Sequence, residues 1–218
     1  MMQPKNKKRK ARLAGLLLIL IWLAGCSQAV PLSEQDVVFA DGFVAGEMGS
    51  WVLEADSLGR TAVVDEKLLI EINQSDTMQY AALDDQSFTD FALEVDAEIL
   101  TGHPESSYGV LFRMMDAARF YRFEITGTGL YMVERHNPDG SWTRLLDDWQ
   151  ESEAINQGEG AVNRMKVVAA GSGFALYTND SLILQFTDTV YPSGTIALDA
   201  GTFGVPDLQV VFDNVVIR

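Results

Sequence analysis

From residue 37 to the C-terminus, apolar and polar residues alternate with a period of two in short runs, and no stretch holds a convincing amphipathic helical period. The clearest pattern lies in residues 108–149. Tyr108–Arg113, Phe120–Ile125, Leu130–His136 and Ser141–Leu146 are rich in aromatic and β-branched residues. Between them stand Met115-Asp116-Ala117-Ala118, Gly127-Thr128-Gly129 and Asn137-Pro138-Asp139-Gly140. A parallel connection needs a dozen residues or more, so turns this short make the four strands antiparallel neighbours. In the second strand Tyr121, Phe123 and Ile125 point one way and Phe120, Arg122 and Glu124 the other; in the first, Tyr108, Val110 and Phe112 oppose Gly109, Leu111 and Arg113. One face is a core face, which requires a second layer and predicts a sandwich.

The rest of the chain extends the pattern. Val37–Phe39 opens it, Thr61–Val64 and Lys67–Ile72 form a hairpin across Asp65-Glu66, and Met78–Leu83 and Phe91–Ile99 follow. Residues 147–160 read as a loop over one edge. Asn163–Ala170, Phe174–Tyr177, Ser181–Phe186, Thr195–Ala200 and Leu208–Ile217 complete about thirteen strands with no repeat and no internal boundary. The expectation is an all-β, antiparallel, two-sheet β-sandwich over residues 37–218.

The first 25 residues are a different kind of sequence. Six basic residues and no acid occupy residues 1–12, and an apolar run from Leu13 to Leu23 ends in Leu23-Ala24-Gly25-Cys26. That is the layout of a secretory signal peptide, and the run falls well short of the roughly 20 residues that span a bilayer. The ending resembles the bacterial lipobox, which implies lipidation of Cys26, a short tether over 26–36, and a membrane-anchored protein outside the cytoplasm. Cys26 is the only cysteine, so no intrachain disulfide forms. The chain has 16 basic and 31 acidic residues; without the six basic residues of the leader, ten stand against 31, a net −21. Such a surface argues against nucleic acid as a partner.

The succession YGVLFR, RFYRFEI, GLYMVER and SWTRLLDDW, followed by Asn163-Arg164-Met165-Lys166-Val167, LYTNDSLI and Phe212-Asp213-Asn214-Val215, is similar to the concanavalin A-like lectin/glucanase superfamily. It looks most like the bacterial laminin-G-like and family-16-hydrolase-like domains. The resemblance covers residues 37–218. It implies a jelly roll of two curved sheets with a concave face on which relatives bind glycans.

Within Phe91–Ile99, Glu94-x-Asp96-x-Glu98 resembles the signature of the family 16 glycoside hydrolases. Carried over, Glu94 is the nucleophile, Asp96 its electrostatic partner and Glu98 the general acid/base of a retaining hydrolase. Retention needs carboxyl groups about 5–5.5 Å apart, whereas four steps of a straight strand separate the Cα atoms by roughly 13 Å. The plainer reading is that Leu93, Val95, Ala97 and Ile99 are buried and the three acids are their outward neighbours, with Arg113 and Arg122 crossing the sheet to Glu94 and Asp96. Among the aromatic residues, Tyr108, Tyr121 and Tyr131 read as core, and Trp142 and Trp149, near turns, are the better exposed sugar platforms. His103 and His136 are too isolated for a zinc site. Asp84-Asp85, Asp147-Asp148 and Asp213-Asn214 offer oxygen ligands of the kind calcium takes, without EF-hand spacing. No cofactor or metal is expected, calcium being the alternative.

These readings converge on a monomeric, lipid-anchored module that binds a polysaccharide or other glycan without catalysis, through an outward polar face holding Glu94, Asp96, Glu98, Arg113, Arg122 and Glu124, with Trp142 beside it. The rivals are the retaining hydrolase and an envelope protein-interaction scaffold.

Overall fold

A computed structural model describes residues 36–218. Fifteen strands run through these residues: β1 Phe39–Asp41, β2 Gly59–Val64, β3 Lys67–Ile72, β4 Met78–Ala82, β5 Phe91–Thr101, β6 Ser107–Asp116, β7 Arg119–Thr126, β8 Leu130–His136, β9 Trp142–Arg144, β10 Gln150–Glu151, β11 Asn163–Ala170, β12 Gly173–Thr178, β13 Ser181–Thr187, β14 Thr195–Gly201 and β15 Leu208–Ile217. They form two antiparallel sheets. The larger has the order β13-β12-β11-β5-β15-β3-β2, with β1 added on β15; the smaller has the order β10-β8-β7-β6-β14-β4, with β9 added on β8. The expected meander is there as β6 to β9. The loop over 147–160 contributes the short strand β10, and within it Ile155 is buried in the core. The leader, Cys26 and nearly all of the tether fall outside the described residues.

The core lies between the two inner faces. Leu93, Val95, Val167, Leu176, Val210 and Phe212 from the larger sheet meet Tyr108, Val110, Phe112, Phe123 and Leu198 from the smaller. Period-two alternation accounts for nearly all of this, and bulges account for the exceptions. In β15 the inward residues run 208, 210, 212 and then 215, 217; the register slips after Asp213, and Asn214 adopts a positive φ of 54°. The extra residue resets the phase so that Val215 and Ile217 stay inside.

A second bulge changes the expected role of Arg113. Register slips between Phe112 and Asp116, and Arg113 has φ of 47°. Instead of pointing outward, its guanidinium lies 4.7 Å from the centre of the Phe174 ring and donates to the carbonyls of Thr89, Gly171 and Tyr191 at 2.8, 2.6 and 3.2 Å. Arg113 is 1% exposed and ties three loops at one end of the sandwich. It is a structural residue.

Candidate functional site

The six polar residues expected on one face are divided between two sheets. Glu94, Asp96 and Glu98 alternate along β5 on the outer side of the larger sheet, each with a neighbouring cation from its own sheet or the C-terminus. Lys166 lies 2.8 Å from Glu94 and Arg218 3.7 Å; Arg164 holds Asp96 with two bonds of 2.8 and 2.9 Å; Lys67 reaches Glu98 at 3.4 Å. Asn214, on the bulge, donates to Asp96 at 3.0 Å. Partial burial works to raise the Asp96 pKa, but hydrogen bonds from Arg164 and Asn214 outweigh it and hold the carboxyl below its usual range. The shift belongs to Asp96, which the hydrolase resemblance makes the electrostatic partner and not the general acid. Neither Arg113 nor Arg122 reaches these acids.

Arg122 and Glu124 lie on β7 and point away from the core of the smaller sheet, as alternation requires. Yet they are only 5% and 2% exposed, and Asp199, their neighbour from β14, is 0% exposed. Around them Leu111, Met114, Phe120 and Ala197 form a separate apolar cluster against Met78, Tyr80 and Ala82. Of these three outward side chains, Arg122 lines an opening on this face. Small residues make room: a Cβ on Gly201 would approach Arg122 Nη2 to 3.0 Å, and one on Gly109 would collide with the Phe123 carbonyl.

The charges of this cluster are coupled. Arg122 Nε donates to Asp199 Oδ2 at 2.6 Å and Nη2 to Ser107 Oγ at 3.2 Å; Nη1 lies 2.7 Å from Glu124 Oε2. Burial works against the Arg122 charge, and Asp199 and Glu124 more than restore it. Burial pushes the Glu124 carboxyl up to about 7: Arg122 counters this, while the Asp199 charge adds to it. Asp199 is raised by burial as well, with Arg122 opposing. Glu124 Oε2 and Asp199 Oδ1 are buried with no aligned hydrogen-bond donor. A buried carboxyl pushed toward neutrality by desolvation, with acceptor atoms beside a guanidinium, makes this cluster the candidate site of the smaller sheet.

Two openings flank this cluster. One, of about 240 Å³, is lined by Asp76, Met78, Arg122, Gly201, Thr202 and Phe203. The other, also about 240 Å³ and more apolar, is lined by Glu105, Thr126, Thr128, Leu130, Trp149 and Phe203. Phe203, 46% exposed, belongs to both and meets Trp149 edge-on with ring centres 6.1 Å apart. Tyr108, Tyr121 and Tyr131 are buried in the core, leaving Trp142 and Trp149 as the more accessible of the aromatic residues first singled out. Among the described residues, no three His, Cys, Asp or Glu side chains converge as a metal site. Asp199, Ser107, Phe203 and Tyr80 were not legible as site residues. The one signal was Asp199 itself, an acid in mid-strand between Leu198 and Ala200 where strand propensity disfavours it.

Residues 40–218 match the sequence profile of the 3-keto-alpha-glucoside-1,2-lyase-like domain. The chain belongs to this family. No curated protein sequence matches it. Several solved structures share the fold of this lyase-like domain. The carbohydrate-binding module CBM66 from Bacillus subtilis is 22% identical, with a TM-score of 0.63 over 78% of this chain and 96% of that one. The catalytic domain of an endo-1,3-beta-glucanase (laminarinase) from Thermotoga petrophila is 11% identical, with a TM-score of 0.58 over 84% and 96%. LamAcat from Zobellia galactanivorans is 13% identical, with a TM-score of 0.58 over 85% and 98%. The lyase-like domain is therefore a concanavalin A-like jelly roll, as the strand succession implied.

Proposed function

We propose that this domain binds carbohydrate at the openings on the smaller sheet, with Trp149 and Phe203 as the apolar wall and the Arg122–Glu124–Asp199 cluster as the polar floor. The observation that carries this reading is the pair of openings meeting at Phe203, one apolar and one ending on a buried guanidinium. Sugar rings present an apolar face and a hydroxyl edge, and this arrangement offers a surface for each. The family and the carbohydrate-binding module among its structural neighbours support the same ligand class. The leader and the Leu-Ala-Gly-Cys ending support display of the domain on a membrane by lipid on Cys26. The protein then acts outside the cytoplasm, as a monomer.

The test is affinity electrophoresis of the full chain through gels containing β-glucans, α-glucans, fructans and bacterial polysaccharides. Retardation by at least one polymer, lost in Phe203→Ala, is the expected result. Free migration in every gel would leave the protein-interaction scaffold as the better account.

Glu124 favours a second reading, in which binding leads to elimination, the chemistry in the family's description. In a 3-keto-α-glucoside the proton on C2 is acidified by the C3 carbonyl. A base takes that proton, its electron pair forms the C1–C2 double bond, and the C1–O bond breaks to release the aglycone, which leaves as an alcohol once protonated. A carboxyl titrating near 7 suits the base, and a guanidinium suits the charge that develops on the carbonyl oxygen. Release of aglycone from a 3-keto-α-glucoside, lost in Glu124→Gln, is the result this reading expects. Sugar binding without release would leave the domain a binding module.

A further inference from the structure

Trp142 has no place in the site just described, and it is built into the same face. It is 40% exposed, stands on β9 opposite His136 of β8, and His136 in turn stands opposite Phe120 of β7. His136 and Phe120 stack with ring centres 5.0 Å apart and planes 16° apart. Trp142 meets both edge-on, at 4.6 and 5.6 Å. His136 Nδ1 donates to the Ala118 carbonyl at 2.9 Å and fixes the imidazole in this stack. The indole is therefore held in place, not merely attached to a mobile turn.

Trp142 and the Trp149–Phe203 wall lie at opposite ends of β8. Leu130, at one end, lines the apolar opening; His136, at the other, supports Trp142. Six strand steps separate them, a distance of about 20 Å. Midway, Glu134 is covered by Arg144 at 3.4 Å. Glu105 and Asp76 line the openings at the near end, and Asp199 and Glu124 lie beneath, against Arg122. The carboxylates outnumber the guanidinium groups along this path, which disfavours an acidic polymer.

From this placement we infer that the face holds a neutral glycan chain several sugar units long, anchored at its distal end by Trp142. This inference rests on the carbohydrate reading above and adds a second subsite to it. A disaccharide anchored on the Trp149–Phe203 wall, six strand steps away, does not reach the indole, so only longer chains gain from Trp142.

The test is a calorimetric titration of the full chain with neutral β-1,3-, β-1,4- and α-1,4-glucan and fructan ladders, from disaccharide to heptasaccharide, repeated for Trp142→Ala and Phe203→Ala. Affinity is expected to rise with chain length for at least one ladder. Trp142→Ala should weaken the longest oligomer by roughly tenfold, the worth of one aromatic contact, and leave the disaccharide unchanged. Phe203→Ala should weaken every length. Affinity independent of length, or a Trp142→Ala variant equal to the parent at every length, would overturn the second subsite while leaving the site at Phe203 intact. No binding of any ladder would overturn both.

Discussion

At the scale of single residues the decisive feature is the ionic cluster of Arg122, Glu124 and Asp199. One buried cation stands between two buried carboxylates, so removing it leaves two charges without a counter-charge. Arg122→Ala is expected to lower stability by about 3–5 kcal/mol, seen as a fall in melting temperature of roughly 10 °C or more. A variant that melts with the parent would mean that the carboxylates are neutral in the native state. Glu124 gives a sharper signature. Its native pKa of about 7 stands above the ordinary 4.5, so between those values the folded protein binds more protons than the unfolded one. Stability must therefore fall as pH rises through that window, by about 3 kcal/mol in all, and the raised Asp199 adds to the same trend. Denaturant unfolding between pH 4.5 and 7 should show this negative slope, and Glu124→Gln should flatten it. Stability that rises with pH in both proteins would refute the buried, protonatable Glu124.

At the scale of elements, strand boundaries followed from alternation because burial on one face fixes the phase of a strand. β11 and β15 begin and end where their patterns do. What alternation could not supply was the phase change at a bulge. Arg113 reads as outward by counting from Tyr108, and a single residue in the left-handed region turns it inward. Nor could pairing order be read from pattern alone. Pattern alone matches Glu94 and Asp96 of β5 to arginines of β6 and β7, which belong to the other sheet; the partners of the β5 acids are Lys166, Arg164 and Lys67. The glycines of these strands differ in the same local way. Gly109 packs against the backbone of β7, where no side chain fits, whereas Gly173 meets only ordinary contacts. Gly109→Ala should cost about 3 kcal/mol or more by forcing β6 and β7 apart, and Gly173→Ala should be close to neutral. Equal melting temperatures for the two variants would contradict the tight β6–β7 approach.

At the scale of the whole molecule, the sandwich has two outer faces of different character. The larger sheet carries paired, part-exposed charges with Asp96 held ionised. The smaller sheet carries a buried, under-donated cluster opening toward exposed aromatic rings. The fold was legible because its signal repeats in every strand. The proposed site was named only in part from sequence, through Arg122, Glu124 and Trp149, because it is assembled from β6, β7, β14 and two loops that lie far apart in sequence. The proposed lipid anchor belongs to the same scale: on that proposal Cys26→Ser should move the protein from the membrane fraction to the soluble fraction of cells, and retention in the membrane fraction would contradict it. The face that binds is tested most directly by titrating one retained glycan into Phe203→Ala and Glu98→Gln side by side. Loss of binding in Phe203→Ala with Glu98→Gln equal to the parent is the predicted result; the reverse would move the site to the larger sheet and contradict this account.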